Sequence, residues 1–272
     1  MDYLESLFGL KGKTALVTGG SSGIGVMIAT ALVQAGAHVL LASRKGERCE
    51  AVAAGLNALG ASGSAEGFAG DVGSEETILA LAAAVKSRTE TLDILFNNAG
   101  TSWGAPIESF PHAQWERVMA VNVASLFTLT RTLLPLLEAA ATKDDPARVV
   151  NIGSVMGTVP VAEGAYAYTA SKAAVHHLSK TLASEFAPRH ITVNAFAPGP
   201  FPSKMTAFAT GSDEGAAKVG ANVPLGRIGN EADIAAATLY VCGKGGAYVS
   251  GAILPLDGGM SVENHINLFA NL

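Results

Sequence analysis

Thr18-Gly19-Gly20-Ser21-Ser22-Gly23-Ile24-Gly25 follows a short apolar run, Lys13 to Thr18, and opens a helical stretch from about Ile24 to Gln34. Glycines at such a turn let backbone approach a phosphate, and a helix N-terminus supplies free N–H groups and partial positive charge. The same glycines would also serve a plain tight turn, so what surrounds them decides the reading. Outward from this stretch, strand-like and helix-like segments alternate. Strands are expected at Ala37 to Ala42, Gly67 to Ala69, Leu92 to Phe96, Arg148 to Ile152, Ile191 to Phe196 and Ala252 to Pro255. Helices are expected at Gly46 to Leu59 and from an N-cap at Ser74 to Arg88. Strand–helix alternation makes βαβ units and a mainly parallel sheet covered on both faces. No linker or repeat divides the chain. One doubly wound α/β domain over residues 1–260 is expected, with 261–272 as a C-terminal tail outside the pattern.

The 272 residues, 49% hydrophobic and 15% charged with 31 glycines, describe a core-rich globular chain and exclude a disordered or coiled-coil one. A net charge of −5 without a basic run argues against nucleic acid and against an anionic membrane surface. Thr14 to Ser43 carries no formal charge, but Gly19 to Gly23 and Gly36 interrupt it before a membrane span could form. No basic signal region precedes it, and a cytoplasmic location is expected. Cys49 and Cys242 lack CxxC spacing, and reduced buried thiols are expected. The adjacent His176 and His177 diverge by about 100° on a helix and cannot share a metal, so none is expected.

Tyr168-Thr169-Ala170-Ser171-Lys172 places a phenol and an amine one helical turn apart, on one face. A cation held there favours the phenolate and is expected to lower the tyrosine pKa toward working pH, fitting it for proton transfer at a carbonyl or alcohol oxygen. Tyr166 has Ala170 at i+4 and lacks that amine. Ser154 closes the Val150 to Ile152 strand region at the carboxyl edge, where α/β sites assemble. Gly153-Ser154-Val155-Met156-Gly157 does not fit the Gly-x-Ser-x-Gly turn of a hydrolase nucleophile.

Taken in order, the glycine turn, Asn97-Asn98-Ala99-Gly100, Ser154 and Tyr168-x-x-x-Lys172 resemble the short-chain dehydrogenase/reductase family, over about Leu10 to Gly259. The resemblance implies a Rossmann-type sheet of about seven parallel strands, a nicotinamide dinucleotide, and hydride transfer at a carbonyl or secondary alcohol. It implies that Ser154 bonds the substrate oxygen, Tyr168 moves the proton, and Lys172 holds the ribose while tuning the tyrosine. Asn122, through its backbone carbonyl, would seat a water behind Lys172. It implies cofactor contacts from Gly19, Ser21, Ser22, Gly23, Ile24 and Gly25 and from Asp71-Val72 at the adenine. Asn98, Ala99 and Gly100 would lie along the adenosine ribose and phosphate, and Pro198, Gly199 and Ser203 would line the nicotinamide. The Ser154–Tyr168 interval is one residue longer than usual in the family, with the extra residue expected around Val159 to Gly164.

Ser43-Arg44-Lys45 follows the second strand with two cations and no carboxylate, which suits a 2′-phosphate and favours NADP(H) over NAD(H). Ser22 is a counter-signal, standing where many NADPH-using relatives carry a basic residue. Trp103, Met156, Val161, Tyr166, Phe201 and Met205 are expected to make a mostly apolar substrate wall, suited to an apolar ketone or acyl chain. The loops after Asn98 and Pro198 resemble the bacterial 3-oxoacyl reductase branch, especially reductases associated with rhamnolipid synthesis. A small ketone, alcohol or acyl thioester is therefore the expected partner. The alternatives are an NAD(H)-dependent dehydrogenase of a small cyclic, aromatic or steroid-like alcohol, and a nucleotide-binding sensor without turnover. The long apolar helices expected around Trp115 to Leu137 and Ala165 to Phe186 suit pairing across a two-fold axis, and the family points to a homotetramer or homodimer.

Overall fold

The computed structural model describes residues 3–160 and 163–263. Seven strands form one wholly parallel sheet: β1 Thr14–Thr18, β2 His38–Ser43, β3 Ser64–Ala69, β4 Ile94–Asn97, β5 Ala147–Ile152, β6 Ile191–Pro198 and β7 Ile253–Leu256. Their spatial order is β3-β2-β1-β4-β5-β6-β7, so the winding reverses between β1 and β4. In open α/β sheets that reversal leaves a crevice at the carboxyl ends of the strands.

Among the described residues, ten α-helices accompany the sheet. They are α1 Tyr3–Phe8, α2 Ile24–Gln34, α3 Gly46–Asn57, α4 Glu75–Lys86, α5 His112–Met119, α6 Ser125–Ala140, α7 Tyr166–Phe186, α8 Ala207–Thr210, α9 Asp213–Gly220 and α10 Glu231–Cys242. Period-two alternation along the strands divides the core into two layers. Ala15, Val17, Val39 and Leu41 face Ile28 and Leu32 of α2, Ala53 of α3 and Ile234 of α10. Leu16, Leu40 and Leu95 face Ile78 of α4, Leu129 and Leu133 of α6 and Val175 of α7. Both cysteines are buried and free.

Two expectations need correction. The third strand begins at Ser64, three residues earlier than its apolar end suggested, because β3 is the sheet edge and pairs only with β2. The long helix expected around Trp115 to Leu137 is not continuous α-helix: a π-helical turn, Ala120–Ala124, separates α5 from α6 and carries Asn122. Ser74 caps α4 as expected, in a reciprocal capping box with Thr77. Taken as one run, His112–Ala140 is long and apolar enough to cross a membrane, yet Leu126, Leu129, Leu133 and Leu137 are spent in the protein core.

Candidate active site

The crevice at the winding reversal is a cleft of about 1020 Å³. Its floor begins at the glycine turn. Gly19 (φ 67°) and Gly23 (φ 57°) hold left-handed backbone that favours glycine. A Cβ on Gly19 would stand 2.8 Å from Asn98 Nδ2, and one on Gly23 would stand 3.0 Å from Ser203 Cβ. Gly25 lies behind the wall, where a Cβ would meet Gly19 O at 2.5 Å, and this lets α2 seat tightly under the turn. No side chain caps the α2 N-terminus, so its partial positive charge faces the cleft beside Ser21, Ser22 and Ile24.

Thr18, whose hydroxyl lay outside the expected site, fastens the two sides of the reversal together. Its Oγ1 donates to Phe96 O (3.2 Å) and accepts from Asn98 N and Ala99 N (both 3.0 Å), while Asn98 Nδ2 donates to Thr18 O (2.8 Å). Asn98, Ala99 and Gly100 therefore form one wall of the cleft, and Asp71 and Val72 line it from the end of β3. Opposite stand Pro198, Gly199, Phe201, Ser203 and Met205 from β6 and the arm that follows it. The arm lies against the glycine turn through the Gly23–Ser203 approach.

At the mouth near β2, Ser43, Arg44 and Lys45 line the cleft, joined by two cations that sequence reading missed, Arg48 on α3 and Lys204 on the arm. None of these four cations enters an ion pair among the described residues. Desolvation, then the charges of Arg48 and Lys45, hold the Lys204 amine below its ordinary pKa. A dinucleotide fits this cradle: glycines leave room for its pyrophosphate, a helix N-terminus faces it, and an uncompensated cation cluster awaits a further phosphate.

Ser154, Tyr168 and Lys172 meet at the other end of the cleft. Lys172 is buried, and its Nζ donates to Ile152 O at 2.6 Å. Burial lowers the Lys172 pKa to about 8. The amine lies 5.5 Å from the centroid of the Tyr168 ring. The lowered tyrosine pKa expected with a charged cofactor ring beside Lys172 is not present in the protein alone. Desolvation raises the Tyr168 pKa, and only a hydrogen bond with Ser154 opposes it. The physical reason is that the ammonium is turned to a strand-end carbonyl, not bonded to the phenol.

Asn122 lies one layer behind the cleft. Its Oδ1 accepts from Thr101 N (2.8 Å), and its Nδ2 donates to Thr101 O and Ser171 Oγ (both 2.9 Å). Ser171 Oγ in turn donates to Tyr168 O (2.7 Å). The side chain thus locks the β4 loop to the first turn of α7, beneath the tyrosine.

His176, which the sequence excludes as half of a metal pair with His177, has a structural place of its own. It is buried under the Ser154 loop, and a Cβ on Gly153 or Gly157 would strike its ring, at 2.3 Å and 2.8 Å. Its Nε2 accepts from Ser154 N at 3.5 Å. Burial, then the Lys172 and Lys180 charges, lower its pKa to about 4, so the ring is neutral.

The expected substrate wall is assembled only in part. Phe201 and Met205 line the cleft, whereas Trp103, Met156 and Tyr166 do not. Tyr166 instead stacks edge-on against Phe110, 5.6 Å between centroids, and Phe110 meets Trp115 in the same manner. Tyr166 stands two residues before Tyr168, about 200° round the helix, which is why it leaves the wall that Tyr168 joins. Val161 lies outside the described residues, as does part of the loop expected to hold the extra residue. Among the described residues no group of three or more His, Cys, Asp or Glu could hold a metal ion.

Comparison with known proteins agrees with this geometry. The sequence profile of the short chain dehydrogenases matches residues 13–213. The chain is 46% identical over 256 residues to a rhamnolipids biosynthesis 3-oxoacyl-[acyl-carrier-protein] reductase of Pseudomonas aeruginosa, covering 94% of this chain and 99% of that protein. It is 32% identical over 261 residues to gluconate 5-dehydrogenase of Gluconobacter oxydans, covering 94% and 98%. Among solved structures, the Pseudomonas aeruginosa RhlG/NADP active-site complex superposes with a TM-score of 0.89 at 46% identity, over 94% of this chain and 99% of that one. With fold, cleft and sequence in agreement, this chain belongs to the short chain dehydrogenase family and is an oxidoreductase of the nicotinamide-dependent kind.

Proposed function

We propose that the protein is an NADP(H)-dependent reductase of an apolar ketone or 3-oxoacyl thioester. The observation that carries this reading is one cleft with unpaired Arg44, Lys45, Arg48 and Lys204 at one end and Ser154, Tyr168 and Lys172 at the other. The bound dinucleotide would supply the hydride. Ser154 and Tyr168 would hold the carbonyl oxygen between two hydroxyls, polarising it and fixing its distance from the nicotinamide site. Tyr168 would give its proton to that oxygen as charge develops, and a raised pKa in the protein alone keeps the phenol protonated for that step. Lys172 would bond the ribose hydroxyls and stabilise the phenolate left behind. Pro198, Gly199, Phe201 and Met205 would shield the reacting atoms from water.

Substrate class follows from the lining and the relatives. Phe201 and Met205 offer an apolar wall, and the relative at 46% identity carries the name of a 3-oxoacyl-[acyl-carrier-protein] reductase. Cytoplasmic location and a homotetramer or homodimer complete the proposal, the latter checked by sedimentation at micromolar concentration, where a monomer would refute it. The functional test is a panel of 3-oxoacyl thioesters, alicyclic ketones and keto sugars, with NADPH oxidation as readout. Turnover of 3-oxoacyl thioesters well above the others is expected; turnover confined to keto sugars would overturn the substrate reading.

A further inference from the structure

We propose that Lys204 completes a cationic clamp with Arg44, Lys45 and Arg48, so that a 2′-phosphate on the dinucleotide draws the arm after β6 down over the cleft. This rests on the NADP(H) reading above and adds a device to it: cofactor identity is sensed by the element that also closes the substrate site.

The placement of the four cations supports it. Arg44, Lys45 and Arg48 belong to the β2–α3 corner, whereas Lys204 comes from the arm after β6, across the same cleft. Like charges on two separate elements repel, and no described acid pairs with any of them. Without an anion, that repulsion opposes closer approach of Lys204 to the β2–α3 corner. A doubly charged phosphate between the elements reverses its sign and turns each cation into a donor. The depressed Lys204 pKa agrees in part: desolvation is its main cause, and the Arg48 and Lys45 charges add to it.

The arm is built to transmit such a pull. Thr206 Oγ1 donates to Phe201 O (2.7 Å), Ser203 N donates to Thr206 Oγ1 (3.1 Å), and Thr206 N donates to Ser203 Oγ (3.2 Å). Residues 203–206 therefore act as one turn, hinged at the buried Phe201. Ser203 rests on Gly23 of the glycine turn, and Met205 of the same turn and Phe201 line the cleft beside the catalytic end. Drawing Lys204 inward sets the exposed Met205 side chain over the substrate position, while Phe201 stays buried against Gly229 as the arm's fixed end.

The test measures NADPH and NADH affinity by fluorescence titration, with hydrogen exchange over residues 203–211, in wild type, Lys204→Met and Lys204→Arg. Lys204 is solvent-exposed, so both variants are expected to fold. Lys204→Met should weaken NADPH roughly five- to twentyfold and leave NADH within about twofold, with Lys204→Arg close to wild type. Saturating NADP+ should slow exchange in the arm more than saturating NAD+ does, and Lys204→Met should erase that difference. Unchanged NADPH affinity in Lys204→Met, or equal arm protection by the two cofactors in wild type that prefers NADPH, would overturn the inference alone. Wild type binding NADH as tightly as NADPH would instead overturn the cofactor reading on which it rests.

Discussion

Replacing Lys172 by Met should make the protein more stable and far less active at once. The amine is buried, and its pKa falls from 10.5 to about 8 through desolvation. A group whose folded pKa is depressed is penalised most where both states are charged, so the full cost stands below pH 8. At about 1.36 kcal/mol for each unit, that cost is about 3 kcal/mol. Methionine of similar length removes it but leaves Ile152 O without its donor, a loss of about 1–2 kcal/mol. The net gain is about 1–2 kcal/mol, or a rise of roughly 2–8 °C in Tm for a chain of this size. Between pH 8 and 10.5 the wild-type amine discharges in the folded state first, so wild type gains stability and the difference closes. Activity runs the other way. Lys172 would hold the ribose hydroxyls and carry the positive charge nearest the phenolate formed in the transfer, so its loss should lower kcat by about tenfold or more. The assay is denaturant and thermal unfolding at pH 7, 9 and 10.5, beside steady-state kinetics with NADPH. A variant less stable than wild type at pH 7, with a difference that does not change with pH, would refute the reasoning.

Other outcomes follow from the same geometry. His176→Gln should lessen acid sensitivity: a folded pKa near 4 means wild type loses stability, by at most about 3 kcal/mol, as pH falls from 6.5 to 4, and urea midpoints across that window should show the loss shrinking in the variant. Arg44→Ala should cost roughly ten- to a hundredfold in NADPH affinity while sparing NADH, and Ser43→Asp should push preference further toward NADH; titration of both cofactors checks each. Gly19→Ala, forced into φ 67° with Asn98 Nδ2 at 2.8 Å, should destabilise by about 1–3 kcal/mol and weaken both cofactors alike, as read by unfolding and binding.

Much of this was legible in the chain because its signals are local. The glycine turn sits between an apolar run and a helix, and both β1 and α2 formed where that order required. Ser43-Arg44-Lys45 marked the cleft mouth for the same reason. What escaped depends on contacts far apart in sequence. Arg48 lies a turn into α3 and reads as a solvated helix charge, and Lys204 joins it only because the winding reversal brings the arm across. The Tyr168–Lys172 spacing correctly predicted a shared cleft but not the direction of the Lys172 amine, which is set by Ile152 at the end of another strand. The π turn at Asn122 leaves the hydrophobic period running through it, so a single helix was the natural reading. His176 was the most recoverable miss, since Gly153 and Gly157 mark the close approach its ring requires.

Tyr168→Phe tests the central claim most directly, because it removes one hydroxyl from the reacting end and nothing from the cofactor cradle. NADPH affinity and kcat should be measured on the same preparation, with whichever ketone or 3-oxoacyl thioester wild type turns over best. The account predicts NADPH binding within about twofold of wild type and kcat lower by about 10²–10⁴. Retention of more than about a tenth of wild-type kcat with cofactor binding intact would contradict proton transfer by Tyr168.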